Sequence, residues 1–488
     1  MKVRAGSIRG ALIMAFINRY TVLVVNFGAI MVLARLLTPA ETGLFSVAAS
    51  VALLAQAVRD FGISEFLVQE SDLTPAKIRT AFGLTLMLSW SLGAAIFLCR
   101  NWIATAYGTP ELGNLIAVLS LSFAVTPFSS TILAMLNRTM SFGVMFRITQ
   151  TSNLANAIVS IWFAYLGWKA MALALGMLAA SVVTALVAGF SATTWDHFIP
   201  SFREWRALAT FGAYMSGANI VQQVGARAPD LIIGRMLGYR PLGLYNRASG
   251  IVALFYDLVV SSVQAVAFPA FSGAHRAGED MRRHYLRVVT LVTGAVLPVL
   301  AMLAVLAEPL VRALLGTLWL ATAPLVPLIC IGIAIEALAP MVPQFLSATG
   351  SVRMVLPNAI YVRAAQVAMV GCFANFNIFW IASGQIIIGL VTFLVQGRSL
   401  SKAANISFGA LLRATRLSLG VTVLTVILPF AVLTERGGGG DSPWLSLALG
   451  GGLASICWFG AITVLRHPLR RELGAVLHEA LATVRGHG

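Results

Sequence analysis

The sequence predicts an all-α polytopic membrane protein with about fourteen transmembrane helices, arranged as two parallel six-helix lobes followed by two further helices. Three features of the chain lead there. Of its 488 residues 58% are hydrophobic and only 11% charged, where a soluble domain carries about 45–50% and about 25%. The apolar residues are gathered in runs near the length of roughly 20 residues that a spanning helix needs. Basic residues then alternate in abundance between successive connections. With the amino terminus inside, about 22 of the 34 Lys and Arg fall on the inner side and about 7 outside.

The first segment, MKVRAGSIRGALIMAF, has a basic patch followed by an apolar run that passes Asn18 and Arg19 and continues to about Leu37. It lacks a small-x-small cleavage site, so it is expected to stay as the first span. Spans follow near 11–34, 42–62, 81–99, 113–136, 149–167 and 170–190. The polar stretch ATTWDHFIPSFREWRALA then separates a second set near 208–233, 243–268, 286–307, 323–347, 354–374 and 377–396. After SLSKAANISFGALLRATR come two more, near 417–434 and 443–465. The expected organisation is an N-terminal lobe over 1–200, a second lobe over 201–400, and two extra helices with a basic tail over 401–488. Lys77, Arg79, Arg282, Arg283, Arg287, Arg466, Arg470 and Arg471 are assigned to the inner face, which leaves both termini cytoplasmic.

A repeat supports the two lobes. ARLLTPAETGLFSVA (34–48) joins the first and second spans, and GRMLGYRPLGLYNRA (234–248) joins the seventh and eighth. Arg, Leu, Gly, Leu and Ala occupy matching places, and each turn uses Pro and Gly to end one helix and begin the next. Six spans per set give both sets the same orientation, a common plan among transporters.

Several functions are excluded. The formal charge of +16 is scattered between apolar runs instead of gathered on one face, so no nucleic acid is expected. Cys99, Cys330, Cys372 and Cys457 are far apart, without the spacing of a disulfide framework or metal knuckle. The histidines lie in connections or the tail, so neither a metal nor another cofactor is expected within the membrane. No GxxxxGK[ST] loop occurs, so ATP is not the energy source. Without a long connection to carry reacting groups, the chain is not expected to be an enzyme.

Charge at membrane depth is costly and points to function. Arg19, Arg227, Arg247 and Arg363 fall inside expected spans of both halves and outnumber the acids there. They are the candidate substrate-binding cations of a central cavity, because the guanidinium fork matches phosphate oxygens and keeps its charge. Asp230 and Glu336 are the candidate ion-coupling groups, although Asp230 could equally pair with Arg227 one helical turn away. Arg59 and Asp60 are expected to snorkel to the interface. Trp102, Tyr107, Trp162, Trp168, Trp205, Trp319 and Trp444 read as interface anchors. Pro127, Pro269, Pro298, Pro324, Pro327, Pro340 and Pro343 permit kinks in their helices.

Six ordered segments carry a family resemblance over about residues 10–400: VLARLLTPAETGLFSV, RDFGISEFLVQESDLTPAKIRTAF, SFREWRALATFGAYMSGANI, DLIIGRMLGYRPLGLYNRA, FPAFSGAHRAGEDMRRHYLR and AEPLVRALLGTLWLATAPLVPLICI. Together they resemble the polysaccharide-transporter branch of the multidrug/oligosaccharidyl-lipid/polysaccharide flippase superfamily. Asp60, Asp230 and Arg235 match its pattern. The resemblance implies a flippase in the bacterial inner membrane that works by alternating access. Its implied substrate is an undecaprenyl-pyrophosphate-linked oligosaccharide, and its implied partners are membrane lipids and polysaccharide polymerase or assembly proteins. The competing readings are a multidrug-type exporter, a peptidoglycan-precursor flippase and, from another class, a membrane polymerase or ligase.

Overall fold

A computed structural model of the chain describes residues 5–60, 62–191, 199–203, 205–435, 442–472 and 474. Its secondary structure is helical, with no strand among the described residues. The chain divides into two compact units, Met1–Gly243 and Leu244–Gly488.

In the first unit the long helices are α1 (Ala5–Leu36), α2 (Pro39–Asp60), α4 (Pro75–Tyr107), α7 (Phe142–Tyr165), α8 (Ala170–Phe190) and α9 (Trp205–Met236). Between them lie the short α3 (Ile63–Gln69) and a broken pair, α5 (Pro110–Val125) and α6 (Pro127–Arg138), which bends by 53° where Pro127 begins its second half. That pair occupies the expected span 113–136. Leu33 and Leu37, at the end of α1, pack on Ala164 of α7 and Ala172 of α8. α2 packs on α5 and α9.

The RDFG…RTAF segment forms the α2–α3–α4 turn. Gly62 takes φ 61°, a left-handed conformation that a side chain resists. Thr74 caps α4 by accepting the Lys77 N–H at 3.3 Å, with Pro75 at the first helical position. Lys77 Nζ reaches Glu70 at 2.9 Å, and Arg138 donates to the Leu67 and Glu70 carbonyls at 2.9 and 2.6 Å. These contacts close the turn over Ile63, Phe66, Leu67 and Ile78.

α10 (Tyr239–Arg276) begins in the first unit and continues into the second. The second unit adds α11 (Met281–Val305), α12 (Ala307–Leu314), a 3-10 turn at Thr317–Thr322, α13 (Leu325–Glu336), α14 (Val342–Ala348), α15 (Val355–Phe373), α16 (Ile378–Ala404), α17 (Phe408–Glu435) and α18 (Pro443–Val464). Asp280, Asn377 and Ser442 cap α11, α16 and α18 through their side chains. α11 packs on α13 and α17, and α16 on α13 and α15. Phe271, Tyr285 and Phe345 form an aromatic knot in which the buried Tyr285 hydroxyl donates to the Pro340 carbonyl at 2.8 Å.

Over the described residues each expected span coincides with helix, although, besides the bent fourth, the expected tenth, 323–347, is not continuous. It breaks between α13 and α14, where Pro340 lies in the turn and Met341 takes φ 60°. Among the described residues eight helices are long and apolar enough to cross a membrane, nine if the bent pair is one span. The chain is therefore a multi-pass membrane protein.

The repeated turns approach one another within the first unit. A Cβ on Gly43 would stand 2.7 Å from the Tyr239 carbonyl carbon and 3.0 Å from the Gly243 nitrogen. A Cβ on Gly243 would stand 2.8 Å from the Pro39 carbonyl carbon and 3.2 Å from the Gly43 nitrogen. Each turn thus presses its glycine against the equivalent residue of the other, which explains why both copies hold Gly there.

Candidate functional site

On α9 the polar residues cluster around Pro229, which removes one backbone donor from the helix interior. Asp230 Oδ2 accepts from Ser50 Oγ of α2 at 2.9 Å. No ion pair joins Arg227 to Asp230 among the described residues. Instead the Arg227 Nε is buried without a hydrogen-bond acceptor. The Tyr107 hydroxyl donates to the Leu231 carbonyl at 3.0 Å, fixing α4 against this stretch of α9. Arg19 lies on α1, but its side chain is outside the described residues.

In the second unit, Arg247 stands on α10 with its guanidinium carbon 5.3 Å from the centre of the Trp319 ring. This is a cation–π arrangement, worth about 1–2 kcal/mol in a desolvated setting. Its Nε is also buried without an acceptor. Trp319 is fully buried and so does not anchor an interface as the sequence suggested. The 3-10 turn folds it into the core, where its face supports the arginine. Trp102, Trp162, Trp168, Trp205 and Trp444 remain exposed.

Arg363, on α15, donates to Gln366 Oε1 at 2.8 Å and lies close enough to Glu336 for their charges to interact. Glu336 also faces Tyr256 of α10 electrostatically. On the neighbouring face of the site, Gln385 Nε2 donates to the Tyr245 hydroxyl at 2.5 Å. Arg363 therefore has a protein carboxylate nearby, whereas Arg227 and Arg247 have no ion-pair partner among the described residues.

Two further findings depart from the sequence reading. Arg59 does not snorkel: its side chain is 8% exposed, it binds Asp60 at 2.6 Å, and its guanidinium carbon stands 5.9 Å from the Phe123 ring centre. The aromatic face and the adjacent carboxylate compensate its charge inside the fold. Asp257, on α10 one residue beyond Tyr256, is an exposed carboxylate within the expected span 243–268. Its signal, an acid in the middle of an apolar run, was as clear as that of Glu336.

A family model described as polysaccharide biosynthesis protein matches residues 32–324, more than half of the chain. The chain is 26% identical over 317 residues to the lipopolysaccharide biosynthesis protein WzxC of Escherichia coli (strain K12), covering 64% of each. It is 26% identical over 308 residues to the succinoglycan biosynthesis transport protein ExoT of Rhizobium meliloti (strain 1021), covering 63% of this chain and 62% of that protein. The chain thus spans less than two thirds of the length of these curated relatives. In fold it is similar to the lipid II flippase MurJ in an inward closed conformation, with a TM-score of 0.73 at 13% identity, over 93% of this chain and 99% of that one. With more than half its length matched, the chain belongs to the polysaccharide biosynthesis protein family.

Proposed function

We propose that this protein is a flippase for lipid-linked oligosaccharides, carrying undecaprenyl-pyrophosphate-linked repeat units from the cytoplasmic to the outer face of the bacterial inner membrane. The observation that carries the reading is the pair of intramembrane arginines, Arg227 and Arg247, whose buried Nε groups have no acceptor among the described residues. A buried donor without a partner costs about 1–3 kcal/mol, more when charged, and a diphosphate supplies the missing acceptors. Family membership, the names of the relatives and the flippase-like fold agree with this cargo. Arg19 and Arg363 complete the proposed cationic set of an alternating-access cavity, with Asp230 and Glu336 as coupling groups. Two six-helix lobes followed by two helices, both termini in the cytoplasm, and a handover of product to a polysaccharide polymerase belong to the same proposal.

The test is flipping of lipid-linked oligosaccharide per folded transporter in proteoliposomes. Arg227→Gln and Arg247→Gln should each reduce the rate at least tenfold at normal protein abundance, a loss of about 1.4 kcal/mol or more. Lys at either place should restore only part of the rate, since it keeps the charge without the planar fork. An Arg282→Gln control should leave the rate per molecule unchanged. Full transport by both Gln variants refutes the cationic mechanism.

A further inference from the structure

A second basic feature lies outside that site, at the end of the second unit where α11 begins and α18 stops. A cavity of about 900 Å³ is lined there by Arg283, Arg287, Arg466, Arg470, Arg471 and His467. The chain that leaves α18 turns sharply: Arg466 takes φ 49°, a left-handed backbone that a side chain resists. The turn drives His467 inward, where it is 1% exposed.

His467 acts as the peg that holds this turn. Its Nδ1 accepts the Leu469 N–H at 3.2 Å, so the neutral ring carries its proton on Nε2, which donates to Ser418 Oγ of α17 at 3.2 Å. Ser418 in turn reaches the Thr290 carbonyl of α11 at 3.3 Å. The ring sits against Gly294, where a Cβ would also come within 2.8 Å of Leu469 Cδ1. Trp458 Nε1 donates to the Gly294 carbonyl at 3.1 Å and ties α18 to the same place. The arginines after α18 are therefore fixed on a packed base.

Most of these charges converge without an ion pair among the described residues. Arg287 pairs with Glu472 at 2.5 Å. Arg283, Arg466, Arg470 and Arg471 have no ion pair among the described residues. Orientation of the chain in the membrane requires basic residues near helix ends, but not a rigid pocket into which they point. The pocket also lies at the ends of helices that are long and apolar enough to cross a membrane, which is where lipid headgroups are met.

We propose that this pocket binds the phosphate headgroup of an anionic membrane lipid. Phosphate oxygens take two parallel N–H bonds from a guanidinium, and the left-over charge of four arginines suits a diester held at the membrane surface. The lipid would lock the start of α11, α17 and the turn after α18 into one body.

The test is native mass spectrometry of the full chain released from nanodiscs of equal phosphatidylglycerol and phosphatidylcholine. The wild type should retain phosphatidylglycerol, and Arg470→Gln/Arg471→Gln should lose that preference, about fivefold for each charge removed. Arg470→Lys/Arg471→Lys should keep an intermediate preference, which separates binding from loss of fold. Arg413→Gln, on an exposed arginine of α17 outside the pocket, should change nothing. Equal retention of both lipids by the wild type, or unchanged retention in the double Gln variant, overturns the proposal. So does inorganic phosphate displacing the lipid at equimolar concentration, because the pocket would then be a free-anion site.

Discussion

Replacing Gly43 by Ala tests the meaning of the repeated turn most directly. The new methyl group would land 2.7 Å from the Tyr239 carbonyl carbon and 3.0 Å from the Gly243 nitrogen, whereas carbon contacts are comfortable only at about 3.5–4.0 Å. Both obstacles are backbone atoms, so no rotamer change can make room, and the two helix starts must separate by about 1 Å. Overpacking of this kind costs about 1–3 kcal/mol, occasionally more. A thermal unfolding curve of the purified protein should therefore shift down by several degrees. Gly250→Ala on α10, where nothing lies within 4 Å of the added Cβ, should leave the curve unchanged.

The reciprocity of the contact gives a sharper test. Gly243→Ala should cost as much as Gly43→Ala, since its Cβ meets the Pro39 carbonyl carbon at 2.8 Å. Once one substitution has separated the turns, the second meets less resistance. The double variant should thus lose less than the sum of the single losses, with a coupling of about 0.5–3 kcal/mol. Strictly additive losses, or an unshifted Gly43→Ala, would refute the idea that the two glycines form one contact.

Three other outcomes are expected. Asp230→Asn or Glu336→Gln should weaken the response of flipping to an imposed proton or sodium gradient, while ATP has no effect; one charge moved across 100 mV is worth about 2.3 kcal/mol, and undiminished flipping with every gradient collapsed would count against coupling. Burial pushes the His467 pKa below its usual 6.5, so protonation favours the unfolded chain: its stabilising effect is complete above about pH 6.5 and fades as pH falls through the folded value. Unfolding temperature should accordingly drop on acidification in the wild type and less so in His467→Gln. Cysteine labelling should find residues 282 and 466 on the cytoplasmic side and residue 102 outside; the termini, and the loop holding Arg436, lie outside the described residues and can be mapped by reporter fusions at 436 and 485.

Helix positions were legible because apolar runs of spanning length admit few other solutions in a bilayer. The glycine repeat was legible too, since only a close backbone approach or a left-handed turn demands Gly at equivalent places. What a run of apolar residues conceals is which of its members face inward. Trp319 looked like an interface anchor because tryptophans at span ends usually are, yet the 3-10 turn at Thr317–Thr322 buries it beneath Arg247. Arg59 looked like a snorkelling residue because its stem is long, yet Phe123 from another helix receives it. His467 was read as a loop residue, and nothing local in RHPLR shows that the distant Gly294 of α11 leaves room for its ring. Such pairings are long-range, and a single sequence does not record them.

The helices that carry the proposed site hold polar groups within long apolar stretches. α10 is 38 residues long and carries Asn246, Arg247 and Asp257 along its length. α9 is interrupted by Asn219, Gln222, Gln223, Arg227 and Asp230. α17 and α18 are each long and apolar enough to cross a membrane. Insertion into lipid disfavours a mid-helix arginine by about 2.5–3.5 kcal/mol, so retaining two without an ion-pair partner among the described residues would leave the fold poorer in stability unless a bound anion offsets the loss. A diphosphate-bearing lipid does this only while it is present. The empty transporter should then be the less stable form, and saturating lipid-linked oligosaccharide should raise its unfolding temperature. In an Arg227→Gln/Arg247→Gln variant that rise should largely disappear, while the unfolding temperature without cargo should stay the same or increase. A variant that is destabilised without cargo would show instead that the arginines hold the protein together.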